Sequence, residues 1–146
     1  MPRGEKIMQG RMKFLMLTTD IGFIAYWAIT FFHLIPPDQL FRDYTNPILV
    51  HWNWSFLPLD ILISISGLAS VWLYYKKQAA WQSLAIISLT LTSVSGLQAI
   101  AFWIFAQDYS WSWWLPNLFL LIYPIFFLPK LVMNSHVEKS SHDYFN

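Results

Sequence analysis

Four long apolar runs, separated by short polar connections, organise the chain. Each run comes close to or exceeds the ~20 residues that a helix rising ~1.5 Å per residue needs to cross ~30 Å of hydrocarbon. The pattern predicts an all-α fold, a bundle of four transmembrane helices at about 14–35, 47–75, 80–106 and 115–133. One membrane domain, 1–133, is followed by a polar tail, 134–146, which lacks helical periodicity and is expected to be mobile. The second run is too long for an upright span, and Pro58 inside it removes a backbone donor, so residues 47–57 are expected to lie along the interface or to tilt steeply. Pro36 and Pro37 close the first helix, whereas Pro116 sits near the start of the fourth, where a missing N–H is harmless. The short loop Tyr75 to Gln78 makes the second and third helices antiparallel neighbours.

Composition sharpens this picture. The 146 residues are 56% hydrophobic and 12% charged, with 28 aromatic residues, more apolar side chain than a soluble domain of this size can hide from water. A net charge of +1 offers no basic field for nucleic acid, and the absence of cysteine removes disulfides and thiolate metal sites. Lysine and arginine fix a direction. Arg3, Lys6, Arg11, Lys13, Lys76, Lys77, Lys130 and Lys139 fall on one side and Arg42 alone on the other, which predicts cytoplasmic N- and C-termini. Trp111, Trp113 and Trp114 then mark the outer boundary, and Tyr74, Tyr75 and Trp81 the inner one. The basic N-terminus ahead of an apolar run is read as an uncleaved first helix rather than a secretory signal, because the run exceeds the usual ~7–15 residues.

Candidate chemistry lies in the few polar residues inside the spans. Asn53, Asp60, Ser64 and Gly67 share one helical face, and Gly22, Tyr26, Thr30 and His33 share another. Ser88, Thr92 and Gly96 form a small-residue ladder, bordered by Ser95 and Gln98, of the kind that permits close helix packing. Asp60 falls near mid-membrane, with Asn53, His33, Gln98 and Asn117 toward the outer half, which suggests an outward-opening polar pocket roofed by tryptophans. A carboxylate at that depth must be paired, hydrogen-bonded or protonated. With no lysine or arginine in the central spans, its expected partners are Gln98, Asn117, Tyr26, a tryptophan N–H or water. The plain alternative is an acid that only ties helices together.

Asp20 stands about 200° around the first helix from Gly22, and eleven Leu, Ile, Phe and Val residues in that run outweigh its insertion cost of about 2.5–3.5 kcal/mol. A proton-coupling role for it competes with hydration or pairing near Arg11 and Lys13. Trp52 and Trp54, with Phe56, could form an aromatic ligand box, although interfacial anchoring explains them as well. His33 and His51, with Asp38 and Asp43 between them, lack the spacing of a metal site, and His136 and His142 read as solvated tail residues. Neither a phosphate loop nor a catalytic triad or HExxH motif is present, so no cofactor is expected and enzyme activity lacks a positive signal.

The strings LFRDYTNP at 40–47, HWNWSFLPLDILIS at 51–64, SGLQAIAFW at 95–103 and PNLFLLIYPIFFLP at 116–129 resemble the YvaD family of small bacterial membrane proteins. The resemblance spans all four helices and stops short of the tail. It implies a multi-pass protein of the bacterial plasma membrane, and it brings neither an activity nor a catalytic or binding residue. The functional expectation is therefore a non-enzymatic module that binds a lipid-like or amphiphilic molecule, or a membrane partner, around Asp60, Asn53, Ser64, Gln98, Asn117, Tyr26, His33, Trp52 and Trp54. A dimeric proton-coupled exporter using Asp20 or Asp60 is the rival. A lipid-modifying enzyme with Asp60 as acid is a third reading.

Overall fold

The computed structural model describes residues 8–40 and 45–143, with backbone alone at Pro37, Leu40 and 135–143. Arg3, Lys6, Arg42 and Asp43, and the side chains of His136, Lys139 and His142, lie outside the described residues. Six helices follow one another: α1 Gly10–Phe31, α2 Pro37–Leu40, α3 Pro47–Ser55, α4 Leu57–Tyr75, α5 Trp81–Phe105 and α6 Trp111–Asp143. Among the described residues they supply four spans long and apolar enough to cross a membrane: Gly10–Phe31, Pro47–Tyr75, Trp81–Phe105 and Trp111–Asn134.

Local chemistry explains most boundaries. Asn46 caps α3 by accepting a hydrogen bond from Ile48 N at 3.0 Å, ahead of a proline at the first helical position. Pro58 cannot donate to the carbonyl of Trp54, and α3 gives way to α4 across the single residue Phe56. Because Phe56 keeps helical dihedrals (φ −77°, ψ −22°), the two run on as one apolar stretch of 29 residues. The helix α1 stops at Phe31, before the two prolines are reached. His33 turns left-handed (φ 52°), its N–H bonds Thr30 O, and Leu34 N bonds Ile29 O, which closes the helix as a Schellman turn. Lys77 (φ 57°) and Gln107 (φ 54°) end α4 and α5 in the same way. The last helix departs furthest from expectation. It begins at Trp111, carries Pro116, Pro124 and Pro129 inside it, and stays helical to Asp143, so the expected non-helical tail is an extension of α6 through most of its length.

Packing runs in chain order, α1 on α4, α4 on α5 and α5 on α6. α5 has neighbours on both sides, and small residues let them approach. A methyl group at Gly96 would stand 2.6 Å from Asn117 O and Leu121 N of α6, while Ser93 Oγ donates to Leu121 O at 2.9 Å. Ser70 Oγ donates to Trp81 O and Ser88 Oγ to Ile63 O, so α4 and α5 are stitched by hydroxyl-to-backbone bonds.

Polarity is inverted relative to a water-soluble protein. Asp20, Asp60, Ser70, Ser88 and Thr92 are buried, whereas Ile21, Ile65, Phe105, Phe126 and Met133 are exposed, Phe105 at 86%. Such a surface is stable against hydrocarbon and not against water. The chain is a multi-pass membrane protein.

A tryptophan-walled cavity around Asp60

The bundle is packed at one end and hollow at the other. Toward the Lys76–Ala80 turn, Met8, Met12 and Met16 of α1 meet Val71, Trp81, Ala85, Leu89, Tyr123 and Leu131 in a continuous apolar core. One polar layer lies next to this core: Thr19 Oγ1 donates to Tyr123 OH at 3.1 Å, and Ser64 Oγ to Asp20 O at 3.2 Å. Toward the opposite, tryptophan-rich end lies a cavity of about 770 Å³. Its walls come from every long helix: Gly22, Tyr26 and Trp27 of α1, Trp52, Asn53 and Asp60 of α3 and α4, Ser95 and Trp103 of α5, Trp113 and Asn117 of α6.

Asp60 sits in this wall, 4% exposed, in the first turn of α4. Trp27 Nε1 donates to its Oδ2 at 2.9 Å and Ser95 Oγ to its Oδ1 at 3.3 Å. Each carboxylate oxygen thus has one neutral donor and a remaining lone pair. Beside it, Tyr26 OH donates to Asn53 Oδ1 at 2.9 Å, which directs the amide nitrogen away from the tyrosine. That Nδ2 and the Nε1 of Trp103 are both buried and make no hydrogen bond within the chain. Trp52 stacks on Phe102 (4.0 Å between centroids, 21°) and meets Trp103 edge-on, and Trp103 in turn faces Trp113 at 6.4 Å and 28°. One side of the cavity is therefore a continuous indole wall.

Two further features shape access. Thr18 and Gly22 on α1, and Pro116 and Phe119 on α6, line the cavity and are exposed, so the wall is open between these two helices. Gly22 and Phe119 lie about 12–14 Å below the tryptophan-rich ends of their helices, within the span. Asp38 and Gln39 of α2, with Ser110 and Ser112, rim the end of the cavity.

The expected site residues divide accordingly. Asp60, Asn53, Asn117, Tyr26 and Trp52 come together around the cavity. Gln98 does not: Ser95, Gly96 and Ala99 face inward on α5, which turns position 98 out to the exposed side, so it is neither a partner of Asp60 nor part of the wall. Ser64 is spent on the backbone of Asp20, one turn beyond the cavity. His33, turned away by its left-handed backbone, is exposed and bonds Phe31 O through Nδ1 at 3.0 Å. Trp54 packs against Trp27, 5.4 Å between centroids and tilted by 45°, and is not part of the cavity wall. Asn117 lines the wall but spends its Nδ2 on Trp113 O at 2.7 Å rather than on Asp60. Among the described residues, no three His, Asp or Glu side chains gather as metal ligands.

Asp20 is more deeply buried than its neighbourhood in the sequence suggests, 1% exposed, and its Oδ2 makes no hydrogen bond within the chain. Lys13 does not pair with it: its Nζ donates to Tyr75 OH at 3.1 Å and lies over that ring. Asp20 instead fills the space left by the missing side chain of Gly67, about two turns along α4 from Asp60. Trp103, Trp113 and Ala99 are wall residues that sequence reasoning missed. For Ala99 and Trp103 a signal was present, since Ser88, Thr92, Ser95, Ala99 and Trp103 fall on one stripe of α5.

An inverted, four-span bundle with a largely apolar cavity that holds a few buried polar groups defines a class of multi-pass membrane protein. Residues 12–138 match the family described as "Family of unknown function (DUF5360)", and the chain belongs to that family. It is also 49% identical over 130 residues to "Uncharacterized protein YvaD" of Bacillus subtilis (strain 168), an overlap covering 89% of this chain and 98% of that one. No solved structure matches the chain.

Proposed function

We propose that this protein is a non-enzymatic binding module of the bacterial plasma membrane, with both termini in the cytoplasm, whose cavity holds a lipid-like or amphiphilic molecule. The observation that carries the reading is the pair of unbonded, buried donors, Asn53 Nδ2 and Trp103 Nε1, in the wall of a cavity that also holds Asp60. Buried N–H groups without a partner are costly, and an occupant with acceptor atoms removes that cost. The apolar indole wall and the gap between α1 and α6 suit a molecule that is itself dissolved in the bilayer. The apolar core beneath the cavity, from Met12 to Leu131, favours holding a ligand over passing it through, and so favours this reading over a dimeric exporter.

Gly22 supplies the test. A Cβ there meets no other atom within 4 Å, and Gly22 lines the cavity, so Gly22→Phe is expected to place a ring at the side opening. Native mass spectrometry of the wild type released from cell membranes is expected to show a retained amphiphile, and Gly22→Phe to lose it while unfolding at the same temperature. Equal retention in the two proteins contradicts cavity binding, and pH-driven flux in vesicles that is abolished in Asp60→Asn or Asp20→Asn supports the exporter instead.

A further inference from the structure

The proposed binding reading leaves the chemistry of the occupant open, and the polar atoms of the wall narrow it. Asp60 is held by two neutral donors, and the described residues that line the cavity include a second carboxylate, Asp38, at its rim but no lysine, arginine or histidine. A carboxylate in such surroundings is best satisfied by a positive charge brought in with the ligand. The aromatic faces of Trp52, Trp103 and Trp113 beside it attract the same charge. Asn53 Nδ2 and Trp103 Nε1, each more than nine-tenths buried, ask for an acceptor instead. The wall thus presents one locus for a cation and one for a hydrogen-bond acceptor.

We propose that the occupant is an amphiphile whose head joins a cationic amine to a hydrogen-bond acceptor, the amine meeting Asp60 and the acceptor meeting Asn53 and Trp103. Its tail leaves between α1 and α6, past Gly22 and Phe119, into the hydrocarbon. An aminolipid headgroup and a free hydrophobic amine share this chemistry, and the experiment separates them.

Binding is measured by calorimetry to the full chain in phosphatidylcholine nanodiscs, with empty nanodiscs subtracted, using dodecylamine, dodecanol, dodecanoate and dodecanoyl lysophosphatidylethanolamine. The two amines are expected to bind about tenfold or more tightly than dodecanol, a difference of about 1.4 kcal/mol, and dodecanoate weakest. Asp60→Asn, whose Oδ1 still accepts from Trp27 while its Nδ2 donates to the Ser95 hydroxyl, should bring dodecylamine down to the level of dodecanol and leave dodecanol unchanged. Trp103→Phe should weaken lysophosphatidylethanolamine and spare dodecylamine. Phosphatidylethanolamine retained from cell membranes makes the source a lipid headgroup; dodecylamine binding with no retained aminolipid makes it a free amine. Dodecanol binding the wild type as tightly as dodecylamine overturns the amine assignment and leaves the cavity reading intact, a comparison that needs no variant to fold. Saturable binding by none of the four overturns both.

Discussion

Asp20 and Asp60 carry the same functional group into the same bundle and are accommodated by opposite means. Asp60 is met by donors, Trp27 Nε1 and Ser95 Oγ, at the edge of a space large enough for a ligand. Asp20 is met by a void, the missing side chain of Gly67, and one of its oxygens makes no hydrogen bond within the chain. A methyl at position 67 would collide with that carboxylate, and α4 cannot move away without opening its contact with α1. Gly67→Ala is therefore expected to destabilise the protein by about 1–3 kcal/mol, as overpacking of a filled interior does. In an Asp20→Ala background, where the carboxylate is gone, the same change should cost much less, and the coupling should appear as a non-additive double-mutant cycle in thermal unfolding followed by tryptophan fluorescence. Additive costs would mean that the two residues do not share this space. The sequence marks both acids as exceptional, but not their partners. The spacing 53, 60, 64, 67 places Asp60 and Gly67 on one face of the second span. It does not show that Asp20 approaches that face from α1, because the relative rotation and height of two helices come from tertiary packing.

At the scale of the helix, apolar length was enough to locate all four spans, since a run of ~20 apolar residues has few other stable uses. Ends were less legible, for identifiable reasons. Left-handed closures at His33, Lys77 and Gln107 use residues that carry no glycine signal, and α6 runs on through three prolines of the kind that membrane helices tolerate. The small-residue ladder of α5 was legible and does what such ladders do. Gly96 is its tightest point, with α6 backbone atoms on the far side that have no rotamer by which to yield. Gly96→Ala should accordingly force α5 and α6 apart and lower stability by about 1–3 kcal/mol, even though alanine is the better helix former by about 1 kcal/mol. Gly22→Ala, on α1 with open space around it, should raise stability slightly under the same assay. Equal effects at the two glycines would show that helix propensity, and not the approach of α6, governs position 96.

For the whole molecule, the proposed function requires a particular direction in the membrane. The cavity, the indole wall and the side opening all lie toward the end that carries Asp38 and Ser110, and the apolar core of methionine, tyrosine and tryptophan lies toward the Lys76–Ala80 turn. Lysine and arginine cluster with that core: Arg11 and Lys13 begin α1, Lys76 and Lys77 end α4, and Lys130 lies in the corresponding part of α6. Positive charge of this kind is retained in the cytoplasm during insertion, so the proposed orientation, with both termini cytoplasmic, puts the cavity in the outer leaflet and the packed core in the inner one. The chain contains no cysteine, so a single thiol reports its own side without background. Gln78→Cys, in the exposed turn after α4, should react with a membrane-impermeant maleimide only after the cells are permeabilised, and Tyr109→Cys, in the exposed connection before α6, should react in intact cells. The reverse pattern would put the cavity in the cytoplasmic leaflet, where the amphiphiles within reach of Gly22 are those of the inner surface. Labelling of both sites from one side would remove the single crossing that α5 makes between them, and with it the four-span arrangement on which the cavity depends.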